Sequence, residues 1–427
     1  MFIYIYYIFL ASNLKIIILR WIFIIVVFLL IEIYAFEAFK TLSKNNWIIK
    51  TYTIINVIVF ANFFFRLFNI YFQNLDYSDI FYNYLSVPFA LLFTLLCFKL
   101  IIISFLFFED VIRIIESTIK FFFSSSSDSF LVQRREFLSK LAILVASIPI
   151  PFVIHGIFKG RYNYRVFNYE LKFDDLPDDF DGYQITHISD IHSGSLNNRE
   201  SVKYAVDLIN KQKSNLILFT GDIVNNKADE LIKWKTLFSD LKAIDGKYSV
   251  LGNHDYGDYV QWNSEKDKKL NFQLLLDIQN EMGFNLLLNQ NTKIYKNNST
   301  ISLVGVENWG KGRFKKKGDI DKAILGLTNS DFKIVMSHDP SHWDKVLIDH
   351  KTHFHLTLSG HTHGMQFGIE IPGWIKWSPV KWAYKYWAGV YNKNKQFLNV
   401  NRGFGVLGFP GRVGVYPEIS VIKLKKS

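Results

Sequence analysis

Four apolar runs follow one another in the first 158 residues, at about 16–36, 48–70, 87–108 and 138–158. Each approaches the ~20 residues that a helix needs to cross a bilayer. Buried core helices of a soluble domain would show more amphipathic positions, so the runs read as about four transmembrane helices. Arg20, Glu32 and Arg66 fall towards run ends or suit a helix–helix face. Lys99 lies near the middle of its run and has to snorkel or find a partner. The mean hydropathy of +0.11 comes from this region. With 49% apolar residues and only 24 Gly and 9 Pro, disordered and collagen-like classes are excluded. A single cysteine, Cys97, excludes an intramolecular disulfide framework and a multi-cysteine zinc ribbon.

Lysine and arginine in the connections set the orientation. The 37–50 connection carries Lys40, Lys44 and Lys50, and the 109–140 connection carries Arg113, Lys120, Arg134, Arg135 and Lys140. The 71–86 connection holds only Asp76 and Asp79. The basic connections belong inside, which places everything after about residue 158 outside the cytoplasm. Lys15, Arg20, Lys159, Arg161 and Arg165 count against this. Gln133-Arg134-Arg135-Glu136-Phe137-Leu138, followed by an apolar run, resembles a twin-arginine export signal in an internal position. It reads equally as the positive flank of a helix. The Ser124–Ser129 tract before it reads as a flexible loop.

Residues 159–427 differ in kind. They hold 37 of the 49 Lys/Arg and 29 of the 38 Asp/Glu, so +8 of the net +11 lies here. Apolar runs at 183–189, 215–220, 248–251, 301–306, 332–337 and 355–359 read as strands, and segments near 199–212, 228–244, 265–282 and 341–349 as helices. This alternation predicts a layered α/β domain, in which sites form beyond the carboxyl ends of strands. Five predicted strand ends carry Asp, His or Asn: Ser189-Asp190-Ile191-His192, Gly221-Asp222, Gly252-Asn253-His254-Asp255, Ser337-His338-Asp339 and Gly360-His361-Thr362-His363. Singly, each is an ordinary turn or a satisfied polar residue. In series they form a donor set of carboxylate, imidazole and amide oxygen that suits Mn, Fe or Zn. An extended backbone would put Asp190 and His192 on one side, and likewise His361 and His363.

This series resembles the calcineurin-like metallophosphoesterase superfamily. The spellings Ile188-Ser189-Asp190-Ile191-His192-Ser193-Gly194 and Ser337-His338-Asp339-Pro340 are most similar to its membrane-associated YkuE/YaeI-like branch, and the likeness extends to Arg402–Gly405 and Pro417–Ile419. The resemblance implies a four-layer α/β/β/α sandwich over 159–427, preceded by the all-helical transmembrane region 1–158. It implies two divalent transition metal ions: one on Asp190, His192 and His363, the other on Asn253, His338 and His361, with Asp222 bridging. Such a pair clamps a phosphate and supplies hydroxide for in-line attack. His254 is then the catalytic group that protonates the leaving oxygen or stabilises charge. Asp255 either orients His254 or caps a helix. Asn225 stands near where many relatives have a second acidic residue, which puts the hydrogen bonding of that loop in question. His155, His187, His342, His350, His353 and His355 match no ligand position, though His342 is close enough to His338 to support it.

Four of the 10 Trp fall in 374–387, interleaved with Lys376, Lys381 and Lys385. This suits the headgroup level of a bilayer, single-stranded nucleic acid, or a packed insertion beside the active site. Lys311, Arg313 and Lys315–Lys317 form a second basic loop. The expected protein is a multi-pass membrane phosphoesterase cleaving phosphate mono- or diesters, with phospholipid or another envelope phosphoester as substrate, the membrane as partner and nucleic acid not expected. The alternatives are a metal-dependent nuclease or nucleotide phosphodiesterase, and a non-catalytic membrane scaffold on the same fold.

Overall fold

A computed structural model describes residues 14–42, 46–73, 84–123, 130–312, 314–371 and 373–427. Lys44, Asp76, Asp79, the Ser124–Ser129 tract and Arg313 lie outside the described residues. The chain divides into two compact units, residues 1–69 with 88–152, and 70–87 with 153–427.

The first unit is helical: α1 (Leu14–Leu42), α2 (Asn46–Gln73), α3 (Ser86–Phe123) and α4 (Phe130–Ser147). After α4 the chain turns at Ile148 and resumes as α5 (Pro149–Phe158), because Pro149 and Pro151 offer no N–H to continue the ladder. The segments Ile22–Leu42, Asn46–Ile70, Ser86–Phe123 and Arg134–Phe158 are each long and apolar enough to cross a membrane. Large apolar side chains such as Phe23, Ile33, Phe65 and Phe108 face outward, as lipid contact requires. α3 is longer than its apolar run: it carries Arg113 and Lys120, expected in a connection, on a helix instead.

Several charges of this unit are paired. Lys99, 3% exposed, meets the Glu32 carboxylate and donates to Asn56 Oδ1 at 2.5 Å, while Tyr52 donates to Glu32 at 2.7 Å. Lys99 therefore finds a partner rather than snorkelling. Arg135 bonds Glu109 at 2.6 Å and also meets Asp110, Arg134 bonds Glu116 at 2.7 Å, and Tyr34 bonds Asp110 at 2.5 Å. The twin arginines thus tie α4 to α3.

In the second unit the first sheet holds β1 (Arg165–Phe173), β2 (Gln184–Ile188), β3 (Leu216–Phe219), β4 (Lys247–Ser249) and β5 (Phe284–Leu286). The second begins with β6 (Gln290–Lys296), β7 (Ser299–Gly305), β8 (Lys333–Met336) and β9 (Leu356–Ser359). A hairpin, β10 (Ile369–Ile371) and β11 (Ile375–Trp377), pairs with neither sheet. Then β12 (Gly389–Lys393) and β13 (Gln396–Val400) complete the second sheet, and β14 (Glu418–Lys426) returns to the first. The orders are β1-β14-β2-β3-β4-β5 and β12-β13-β9-β8-β7-β6.

Strand alternation builds the layers. Leu216 and Leu218 face the other sheet, where Ile334, Met336, Leu356 and Leu358 meet them. Ile217 and Phe219 face α6 (Arg199–Lys211), α7 (Lys235–Ser239) and α8 (Glu265–Glu281). Val335 and Val304 face α9 (Ile320–Ala323) and α10 (Ser341–Lys345) on the far side. The result is the expected α/β/β/α sandwich. Asn198 and Ser264 cap α6 and α8 by accepting from Ser201 N and Asp267 N. Two helices are shorter than expected. The 228–244 segment is a 3₁₀ turn over Ala228–Trp234 followed by α7, and 341–349 breaks at Val346.

Candidate metal centre

β2, β3 and β4 run parallel, as do β7, β8 and β9, so the ends that carry the motifs share an edge within each sheet. Asp190 and His192 follow β2, Asp222 follows β3, Asn253 and His254 follow β4, His338 follows β8, and His361 and His363 follow β9. Five of these have left-handed backbones: Asp190 (φ 53°), His192 (45°), Asp222 (58°), His361 (68°) and His363 (51°). The paired ligands therefore converge through backward turns and not through an extended chain. Non-glycine residues held this way cost on the order of 1–3 kcal/mol each and persist only where surroundings over-determine them.

Two groups result, Asp190–His192–His363 and Asp222–His338–His361, each with ligand atoms within 4.8 Å of one another. In the first, His363 Nε2 lies 3.0 Å from His192 Nε2 and 3.1 Å from Asp190 Oδ1. In the second, His338 Nε2 lies 3.1 Å from both His361 Nδ1 and Asp222 Oδ2. Asp222 Oδ2 also stands 3.7 Å from His192 Nε2, so it reaches both groups. Two imidazole lone pairs at this separation repel unless a proton or a cation sits between them, and a divalent metal fits the donor set. Asn253 donates its amide to Tyr259 OH at 2.9 Å, which leaves its Oδ1 buried without a protein partner. That orphaned oxygen is the donor expected of the seventh residue.

Oxygens engage the outer ring nitrogens of two of these histidines. His338 Nδ1 donates to Thr220 O at 2.8 Å, and His361 Nε2 bonds Tyr384 OH at 2.8 Å. His363 Nδ1 faces Arg412 Nη2 at 3.2 Å, and His192 Nδ1 has no protein partner. Burial holds His192, His361 and His363 below the usual imidazole range, in the neutral form that coordinates metal. Burial also opposes charge on His338, but the Asp222 carboxylate beside it prevails and pushes it up to about 10. Burial alone would raise Asp222, yet the charges of His338 and His254 hold it well below the carboxylate range.

His254 is half-buried. Its Nδ1 bonds Asn225 O at 2.6 Å, its ring stacks 4.4 Å from Tyr259, and its N–H donates to Asp222 Oδ1 at 2.8 Å. Asp255 does not orient His254. Its carboxylate accepts from the backbone N–H groups of Gly252, Asp222 and Ile223, each at 2.8 Å. Nor does it cap a long helix; it clamps the bridging loop. Glu230 does the same next door for Asn225, Asn226 and Lys227, so Asn225 needs no acidic side chain to hold its loop. Sequence spacing pointed to neither Tyr384 nor Arg412, and their neighbours contain no ligand-like residue.

The six other histidines lie off the centre. His187 bonds Asn399 and Thr220, His342 bonds Ser337, His350 bonds Asp321, and His355 bonds Asp175. His353 packs on His355, and His155 is exposed on α5. In the basic loop, Lys315 pairs with Asp258, while Lys316 and Lys317 lie over Trp309 and Tyr256.

Comparison with known proteins agrees with this geometry. Residues 183–365 match the family model for calcineurin-like phosphoesterases. Residues 19–161 match that for the probable calcineurin-like phosphoesterase transmembrane domain, in which four helices are named. The chain belongs to the calcineurin-like metallophosphoesterases, as a membrane member of them. It is similar to a transmembrane protein with metallophosphoesterase domain of Danio rerio, at 26% identity over 67% of this chain and 62% of that protein. It is similar to the metallophosphoesterase YkuE of Bacillus subtilis at 29% over 59% and 82%, and to a metallophosphoesterase of Helicobacter pylori at 25% over 71% and 76%. The match thus spans less than two thirds of the Danio rerio protein's own length.

Proposed function

We propose that residues 1–158 anchor, and residues 159–427 constitute, a dinuclear metal-dependent phosphoesterase. Asp190, His192 and His363 would hold one divalent ion and Asn253, His338 and His361 the other, with Asp222 placed to reach both groups. The observation that carries this is the reach of Asp222 to both histidine groups, 3.7 Å on one side and 3.1 Å on the other. Mn, Fe or Zn bound here would supply Lewis acidity at a phosphate and a water acidified towards neutral pH.

The chain's own residues do the rest. The Thr220 carbonyl fixes the tautomer of His338, and Tyr384 OH holds the ring of His361 in place. With Nδ1–H donated to Asn225 O, His254 keeps Nε2 for the leaving oxygen; in the imidazolium form it gives its Nε2 proton to that oxygen as the ester bond breaks and is left as the neutral Nδ1–H imidazole. The substrate is a phosphate mono- or diester of the cell envelope, with phospholipid favoured because the same chain is anchored in a membrane. The distribution of Lys and Arg among the connections supports a catalytic domain outside the cytoplasm. A reporter fused after Ser427 tests the side.

Full-length protein with Mn²⁺ is expected to cleave an aryl phosphomonoester or diester. Asp222→Asn is expected to lose at least about 10³-fold of that turnover, as removal of an essential electrostatic group does. Unchanged turnover in this variant would overturn the assignment.

A further inference from the structure

The segment after His363 builds a surface beside the metal centre. The β10–β11 hairpin stands apart from both main sheets, rooted by Ser378, which donates to Gly364 O at 2.7 Å, and by buried Val380 and Trp387 packed on Val415. The four clustered tryptophans therefore split in role. Trp387 is core, whereas Trp374 and Trp382 are 78% and 76% exposed, with Ile369 and Ile371 exposed beside them. Large apolar side chains clustered in solvent mark an interaction surface.

Beside Trp382 lies an open groove of ≈ 520 Å³ whose walls include Lys311, Lys345, Lys381 and Lys385 and one carboxylate, Asp344. Lys385 comes no nearer than 3.9 Å to Asp344, and Lys345 and Lys381 have no carboxylate partner among the described residues. Four lysines against one carboxylate leave the groove with excess positive charge, which attracts an anion. Tyr384 also lines the groove, and its hydroxyl bonds the metal-site residue His361, so the groove borders the centre.

We infer that this groove is the headgroup site for an anionic phospholipid, with the lysines on the headgroup oxygens and Trp374, Trp382, Ile369 and Ile371 against its apolar part. Tryptophan with aliphatic residues and lysine is the composition of a bilayer interface. Single-stranded nucleic acid would use the lysines and rings but has no use for the two isoleucines. The inference rests on the phosphoesterase reading for the fate of the lipid, not for its binding.

The test is calorimetric titration of the full chain in neutral detergent with EDTA, which prevents turnover. The probes are dihexanoyl phosphatidylglycerol, dihexanoyl phosphatidylcholine, inorganic phosphate and a thymidine oligonucleotide. Phosphatidylglycerol should bind at least about tenfold tighter than phosphatidylcholine, and Lys381→Glu with Lys385→Glu should abolish that preference. The milder pair Lys381→Gln with Lys385→Gln should reduce it part-way. Trp374→Ser with Trp382→Ser should weaken both lipids and leave phosphate unaffected. A preference that survives charge reversal overturns the proposal. So does inorganic phosphate binding as tightly as phosphatidylglycerol, or an oligonucleotide binding more tightly than the lipid and losing affinity with both variants. Aryl ester turnover with Mn²⁺ is read separately. Its absence with lipid binding intact sinks the phosphoesterase reading alone, and lost lipid preference with turnover intact sinks this one alone.

Discussion

Asp255→Ala separates two roles that the Gly252-Asn253-His254-Asp255 motif allows. If Asp255 oriented His254, its removal would imitate His254→Ala: slower turnover on an unchanged fold. The structure instead gives its two oxygens to three backbone N–H groups at 2.8 Å, on the loops that carry Asp222 and Asn253. Asp255 is 1% exposed, so alanine leaves those donors buried and unpaired. Each such loss costs ~1–3 kcal/mol, and partial relaxation limits the total to about 3–5 kcal/mol. In a unit of this size that lowers the melting temperature by roughly 10 °C, at about 2–4 °C per kcal/mol. Because the clamp holds Asp222, Mn²⁺ affinity should also fall by ~10–100-fold, as it does when groups supporting metal ligands are removed. The assays are near-ultraviolet dichroism melts of the full chain in detergent and Mn²⁺ titration, with His254→Ala as control. That control should slow turnover while keeping its melting temperature within a few degrees. An Asp255→Ala protein that melts and binds Mn²⁺ normally but turns over slowly would refute the clamp.

Other outcomes follow from the same geometry. A Cβ on Gly360 would sit 2.0 Å from Ser189 Oγ and 2.1 Å from Asp190 Oδ2, so Gly360→Ala should displace Asp190 and lower turnover ~10²-fold, checked with bound metal by elemental analysis. His338 carries its proton up to about pH 10 without metal, so Mn²⁺ must displace it at neutral pH. Binding should release a proton and tighten by about tenfold per unit as pH rises below that value, read by calorimetry in buffers of different ionisation enthalpy; zero release would refute the Asp222–His338 pairing. In the membrane unit, Lys99→Leu or Glu32→Leu alone should destabilise by ~3–5 kcal/mol and the double variant far less, measured by detergent unfolding.

The donor residues of the centre were legible because each follows a short apolar run and precedes a turn, a pattern that survives without any knowledge of the third dimension. How they converge was not. Extended alternation would have served Asp190/His192 and His361/His363, but the backbone is left-handed at all four, a conformation that local propensity disfavours and only the surrounding packing selects. Asp255 was legible as chemistry and misread as to partner, since an Asp beside a His looks like its orienter until the backbone donors are in place. The pairing of β1 with β14 was hidden for a different reason. Val166↔Ile419 and Leu171↔Leu424 join positions at opposite ends of the unit; β1 exposes every second residue from Asn168 to Lys172, and β14 interrupts its apolar residues with Glu418, Ser420 and Lys423, so neither strand reads as an apolar run.

The membrane unit shows where a sequence reading meets energetics. Lys99 at mid-run demanded a partner because an unpaired ammonium in hydrocarbon is costly. Glu32 was visible too, but on a run separated by a whole helix, and only the packing of α1, α2 and α3 brings Glu32, Asn56 and Lys99 together. The arginine pair follows the same logic. A string that resembles an export signal is, in the folded bundle, the cationic half of a network whose other half is Glu109, Asp110 and Glu116 on α3. Glu109 is fully buried, and a buried carboxylate stripped of its guanidinium costs more than the pair contributes. The arginines are therefore fixed by the helix they oppose, and that constraint would hold whether or not an export machinery ever reads them.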